Sequence, residues 1–118
     1  MPYYDEPLRV QRLRMVSQAC AYDLEHVPFF VRRNLYFQAF DRLYKALQEF
    51  MQALFIRHGR YPIAYNKWIR EQVEEVLQLP DLYAPLTGII AVGRLEGETL
   101  NEKADTLKRL LDEYVGSR

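Results

Sequence analysis

The stretch LYFQAFDRLYKALQEFMQALF, Leu35 to Phe55, decides the fold. Its large apolar residues Leu35, Phe37, Phe40, Leu43, Tyr44, Leu47, Phe50, Met51, Leu54 and Phe55 recur in steps of three and four, the spacing of one wide stripe on an α-helix. Carried to its natural stops, this helix runs from Pro28 to His58, about 31 residues and roughly 45 Å. It starts near Asn34 instead if Phe29 to Arg33 is irregular. No other segment reads as long, so the rest is expected to pack around it. Gly59 closes it as a C-terminal cap, Arg57 and His58 place positive charge at the dipole's negative end, and Pro62 prevents continuation.

Upstream, Pro7 to Val27 reads as a first helix, with Asp5 or Glu6 just ahead of a first-turn proline. Val10, Leu13, Val16, Cys20, Leu24 and Val27 form its inward stripe, and Arg9, Arg12, Arg14, Asp23 and Glu25 the opposite side. Pro28 is the expected boundary, because it disfavours helix in the residue before it. Downstream, a third helix is expected from Lys67 to Leu79, capped by Asn66. It turns Ile69, Val73, Val76 and Leu77 inward and Glu71, Glu74 and Glu75 out before Pro80 stops it. Pro85 to Leu95 reads as a short helix, with a β-hairpin as the alternative because Gly88, Gly93 and Gly97 intervene. Thr99-Leu100-Asn101-Glu102 has the form of a capping box for a last helix with Leu100, Ala104, Leu107, Leu111 and Tyr114 on one face, ended by Gly116. Four to five helices joined by short turns predict an all-α antiparallel bundle, residues 1–118 forming one domain.

A chain of 118 residues, 49% hydrophobic, has enough apolar mass for one core and too little for two. No run reaches the roughly 18–20 apolar residues of a membrane span, and Met1-Pro2-Tyr3-Tyr4-Asp5-Glu6 lacks the basic and apolar parts of a signal peptide, so a cytoplasmic protein is expected. The single Cys20 excludes an internal disulfide. Residues 1–60 hold nine Lys/Arg against six Asp/Glu and residues 61–118 seven against ten. That imbalance is too small for a duplex nucleic-acid footprint. Cys20, His26 and His58 do not fall at the spacings of a zinc site, no Gly-rich phosphate loop or Asp-x-Asp pair occurs, and Ser17 and Ser117 lack a nucleophile turn.

The block Tyr36-Phe37-x-x-x-Asp41-Arg42-Leu43-x-Lys45-Ala46-Leu47-x-x-Phe50-x-x-Ala53-Leu54-Phe55, followed by Arg60-Tyr61-Pro62-x-x-Tyr65-Asn66-Lys67-Trp68-Ile69, resembles the helical domain that follows the catalytic domain in nucleotidyltransferases of the kanamycin nucleotidyltransferase type. The likeness is best over residues 30–80, and Tyr-Asn-Lys-Trp is its most distinctive part. In that family the catalytic domain carries a Gly-Ser element and an acidic pair that bind magnesium and the nucleoside triphosphate, and the helical domain closes over the substrate. Here the one Gly-Ser is Gly116-Ser117, with no acidic pair behind it. The resemblance therefore implies a domain that is not catalytic alone and holds no cofactor of its own, partnered in cis or in trans by a nucleotidyltransferase catalytic domain that supplies magnesium and nucleotide sites. It also implies Asp41 as general base and Lys45, one turn on, as a phosphate ligand.

Lys67 stands at the start of the expected third helix, where a cation opposes the dipole, and with Arg60 across the turn and Arg70 one helical turn on it suggests a small phosphate pocket. Trp68 is expected chiefly as a core anchor, with Tyr65 or Trp68 the residues able to face a base. A ribonuclease reading fails because neither His26 nor His58 has an arginine four to six residues upstream. A non-enzymatic interaction or dimerisation bundle, including a homodimer, fits the composition equally well.

Overall fold

A four-residue turn joins the two helices that frame the molecule, whose computed structural model describes residues 6–60 and 68–116. Helix α1 is Glu6–Val31 and α2 is Tyr36–Arg57. Their contacts run in descending register: Arg9 donates to the Ile56 carbonyl at 3.2 Å, Cys20 Sγ to the Ala46 carbonyl at 3.2 Å, and Arg42 to Asp23 at 3.0 Å. The pair is thus antiparallel over its whole length. Ala39, Ala46 and Ala53, seven residues apart and fully buried, make a smooth track along α2 on which α1 lies close. Leu43, Phe50, Leu54 and Phe55 fill the core beside it.

Helix α1 does not stop at Pro28. The missing proline N–H costs the Leu24 carbonyl a partner, but Val27 and Val31 both bury against α2, and that burial carries the helix on for another turn. The ending comes at Asn34, whose φ of 59° is left-handed. Asn34 N–H bonds the Val31 carbonyl at 3.0 Å and Leu35 N–H the Phe30 carbonyl at 2.9 Å, a Schellman closure with Asn in the glycine position. The central helix accordingly begins at Tyr36, the later of the two expected starts. Its 22 residues make it shorter than α1 with 26. At the far end Gly59, with φ 69°, closes α2 by the same pair of bonds, to Ile56 and Phe55. His58 takes the cap position but is held toward its neutral form by partial burial, then by Arg57 and Arg60, so it adds little charge to the dipole.

Helix α3 is a turn, Ile69–Glu71, that widens into an i→i+5 turn over Gln72–Val76, with Leu77 N–H on the Gln72 carbonyl at 2.9 Å. Trp68 precedes it with φ 57° and lies 62% exposed, so it is no core anchor. Ile69 takes the inward place. Asn66, Lys67 and Tyr65 lie outside the described residues. Helix α4 spans Tyr83–Ile90, earlier and shorter than the expected Pro85–Leu95, and no strand occurs among the described residues. Helix α5, Thr99–Leu110, continues as a wide turn over Leu111–Val115. Its capping box does not form: Thr99 is already helical, Glu98 stands at the cap, and Glu98 uses its carboxylate on the Asn101 side chain at 2.7 Å. Among the described residues five helices with a common core make the all-α bundle.

Candidate functional site

The outward side of α2 gathers the residues that matter for chemistry. Asp41 and Lys45, one turn apart, form an ion pair of 3.2 Å with side chains 60% and 58% exposed. Such a pair contributes about 0.3–0.5 kcal/mol. Its oxygen and ammonium atoms remain open to solvent and to any ligand. One further turn along, Glu49 joins Lys45, Gln48 and Gln52 around a shallow hollow of about 200 Å³. Gln48 also borders a second hollow of about 160 Å³, floored by Tyr44, Leu47, Met51 and Ile69 and walled from α4 by Tyr83, Leu86, Thr87 and Ile90. An apolar cavity of about 150 Å³ accommodates one aromatic ring.

Behind this face lies a polar cluster that sequence reasoning missed. Asp23 was expected on the solvent side of α1, yet it is buried between α1 and α2, because steps of three and four from Cys20 and to Val27 put it on the inward stripe. Arg42 meets it at 3.0 Å with its guanidinium near the Tyr22 and Phe30 rings, 5.9 and 5.6 Å from their centroids. Glu49 reaches the same carboxylate. Burial, then a hydrogen bond to Asp23 and that residue's negative charge, push the Glu49 carboxyl up to about 8, against the smaller opposing pull of Lys45 and Arg42. Its Oε1 is enclosed with no hydrogen-bond partner among the described residues. The rise favours the protonated form of Glu49 beside Asp23. Burial, followed by the charges of Glu49 and Asp23, raises the Cys20 thiol to about 12, which leaves it an inert core residue.

The structure brings Asp41 and Lys45 together and leaves Arg60 apart. Arg60 is exposed beyond the end of α2, and the twelve residues from Lys45 to Arg57 span about 18 Å of helix, which sets it well away from the Asp41–Lys45 pair. Lys67, the third expected phosphate ligand, lies outside the described residues. No group of three or more His, Cys, Asp or Glu side chains suited to a metal occurs among the described residues. None of their helices is long and apolar enough to cross a membrane. The signal for Glu49 was present in the sequence as Asp41-x-x-x-Lys45-x-x-x-Glu49, a row with one turn between members whose last residue falls beside the buried Ala46, Phe50 and Ala53. Comparison of the chain with protein-family models, curated proteins and solved structures gives no match.

Proposed function

We propose that this chain is a helical substrate-binding accessory domain of a nucleotidyltransferase. It works in the cytoplasm with a catalytic domain of the same polypeptide or of a separate one, and that domain provides magnesium and nucleoside triphosphate. The observation that carries the reading is the outward face of α2, where the exposed Asp41–Lys45 pair leads on to half-buried Glu49, and Gln48 joins the hollow beside Lys45 and Glu49 to an apolar one large enough for one ring. A few polar groups converging beside an apolar floor are what a small-molecule site needs. In this reading Asp41 takes the proton from an acceptor hydroxyl, Lys45 faces the nucleotide's phosphates, and Arg60 with Lys67 serve a second anionic group. The Tyr-Asn-Lys-Trp resemblance supports the assignment, and Trp68, held out in solvent, offers a face for a base or for the catalytic domain.

The test is reconstitution with the catalytic domain encoded upstream in the same reading frame or in the neighbouring one. Magnesium-dependent transfer to a small acceptor is expected from the pair and from neither part alone, since metal-assisted phosphoryl transfer depends on the acidic pair. Transfer by this chain alone, or full activity of the catalytic domain without it, overturns the reading.

A second reading, a non-enzymatic interaction bundle, is favoured by one specific feature. Phe37 is 85% exposed and, with Phe40, Ile90, Val92 and Leu95, lines an apolar hollow of about 300 Å³ next to the acid–base row. Phe37→Ser that abolishes capture of a partner protein, together with no transfer from any reconstituted pair, would select it.

A further inference from the structure

Helix α1 is apolar on two sides. Cys20, Leu24, Val27 and Val31 face the core, while Leu8, Met15, Tyr22 and Phe29, 47%, 60%, 57% and 38% exposed, run along another side, where Tyr22 also rests on His26 and Phe29 lies under Arg33. These four residues stand seven apart. A seven-residue apolar period drifts by only about 20° per step, so the four side chains make one narrow line along the helix. Leu8 to Phe29 spans roughly 31 Å, which a helix of α1's own length covers.

The face is complementary to itself. Ala19, the small residue at its middle, lets two backbones come close. Met15 lies four residues before Ala19 and Tyr22 three after; Leu8 lies eleven before and Phe29 ten after; Arg14 lies five before and Glu25 six after. A second copy turned end over end about Ala19 sets Met15 against Tyr22 of the partner subunit, Leu8 against Phe29 of the partner subunit, and Arg14 beside Glu25 of the partner subunit, with the reciprocal contacts by symmetry. Methionine against an aromatic ring and arginine against a carboxylate are each favourable. The flank that carries Gln11, Gln18 and Glu25 also holds Arg14, a mixed charge where an anionic lipid surface would require cations throughout. We propose that two copies of this chain pair through α1, antiparallel, with Ala19 on the two-fold axis.

This inference does not depend on the nucleotide reading, since the α2 face lies elsewhere. A three-heptad strip is smaller than a standard interface, so a dissociation constant on the order of 10 µM is expected from sedimentation equilibrium of the full chain. Met15→Glu and Tyr22→Glu, both at exposed sites, are each expected to raise it at least about tenfold with unchanged far-ultraviolet circular dichroism. Arg14→Glu is expected to weaken pairing, and Arg14→Glu with Glu25→Arg to restore it. Within one chain these residues are eleven positions, about 16 Å, apart and cannot pair, so restoration is specific to the antiparallel dimer. Ala19→Cys is expected to give an oxidised, disulfide-linked dimer while buried Cys20 stays unreacted. A chain that remains monomeric at several times that concentration, pairing that the stripe variants leave intact, or a double swap that fails to restore overturns the proposal. So does binding of this face to anionic vesicles in place of a second copy.

Discussion

Helix α2 carries two acid–base clusters within three turns of each other, and the solvent around them makes them different objects. Asp41 and Lys45 meet at 3.2 Å with more than half of each side chain in water, whereas Asp23 and Arg42 meet at 3.0 Å with side-chain exposures of 12% and 27%, beside a Glu49 carboxyl that burial and Asp23 push up. In water the ions are already well solvated, so forming the pair changes little. Between the helices each charge has lost most of its water and depends on its partner. A small contribution to the fold leaves residues free to serve a ligand, and the outer cluster has that freedom.

Arg42→Ala tests the inner cluster most severely. It strips Asp23 of its counter-ion in a site where water replaces it only in part, and it removes the guanidinium from the Tyr22 and Phe30 rings. A loss of about 2–3 kcal/mol in urea unfolding is expected, below the figure for a fully enclosed pair because Arg42 keeps part of its surface wet. A loss below about 0.5 kcal/mol would make the two clusters alike.

Glu49 turns the same comparison into a pH dependence. Its folded carboxyl titrates at about 8 against 4.5 unfolded, so between those values the folded state holds a proton that the unfolded chain has released. The stability that proton confers is complete below pH 4.5 and drains away as pH rises through 8. The urea midpoint should fall between pH 6 and 8.5, by on the order of 1 kcal/mol once screening of this partly exposed group is allowed for. Glu49→Gln, which keeps the hydrogen bond to Asp23 without an ionisable proton, should flatten the profile over that window. A parent curve that is already flat would show that Glu49 is ionised and solvated at neutral pH.

The outer cluster could be read from the chain and the inner one could not, for reasons that lie in particular residues. Asp41 and Lys45 sit on α2 one turn apart, and local periodicity alone puts them together. Asp23 was assigned to solvent by its charge, although its spacing from Cys20 and Val27 puts it among the buried residues. Sequence rules fail where packing overrides a local preference: Pro28 weakens a helix turn, but the burial of Val27 and Val31 outweighs it, and Asn34 supplies the stop that glycine would otherwise mark. Gly59 was legible because its left-handed closure needs nothing beyond its own neighbours. Trp68 was misplaced because size argued for burial, while its left-handed backbone leaves it in solvent and gives the inward place to Ile69.

The smallest effect on the fold, and the sharpest test of the site, belongs to Asp41. Asp41→Asn removes one charge of a pair that is mostly in water, so stability should change by less than about 0.5 kcal/mol at any pH. If Asp41 is the base in the reconstituted enzyme, the same substitution should lower kcat by roughly 10²–10⁴-fold with nucleotide affinity unchanged, because a general base acts on the transition state and contributes little to ground-state binding. Glu49 is the competitor, two turns along the same row, with a carboxyl already poised near 8. The two assignments separate in the pH profile of kcat/KM. With Glu49 as base, activity rises through a limb near pH 8 that Glu49→Gln abolishes together with turnover, and Asp41→Asn leaves that limb in place. With Asp41 as base, that limb is absent from the parent, and Glu49→Gln changes stability alone.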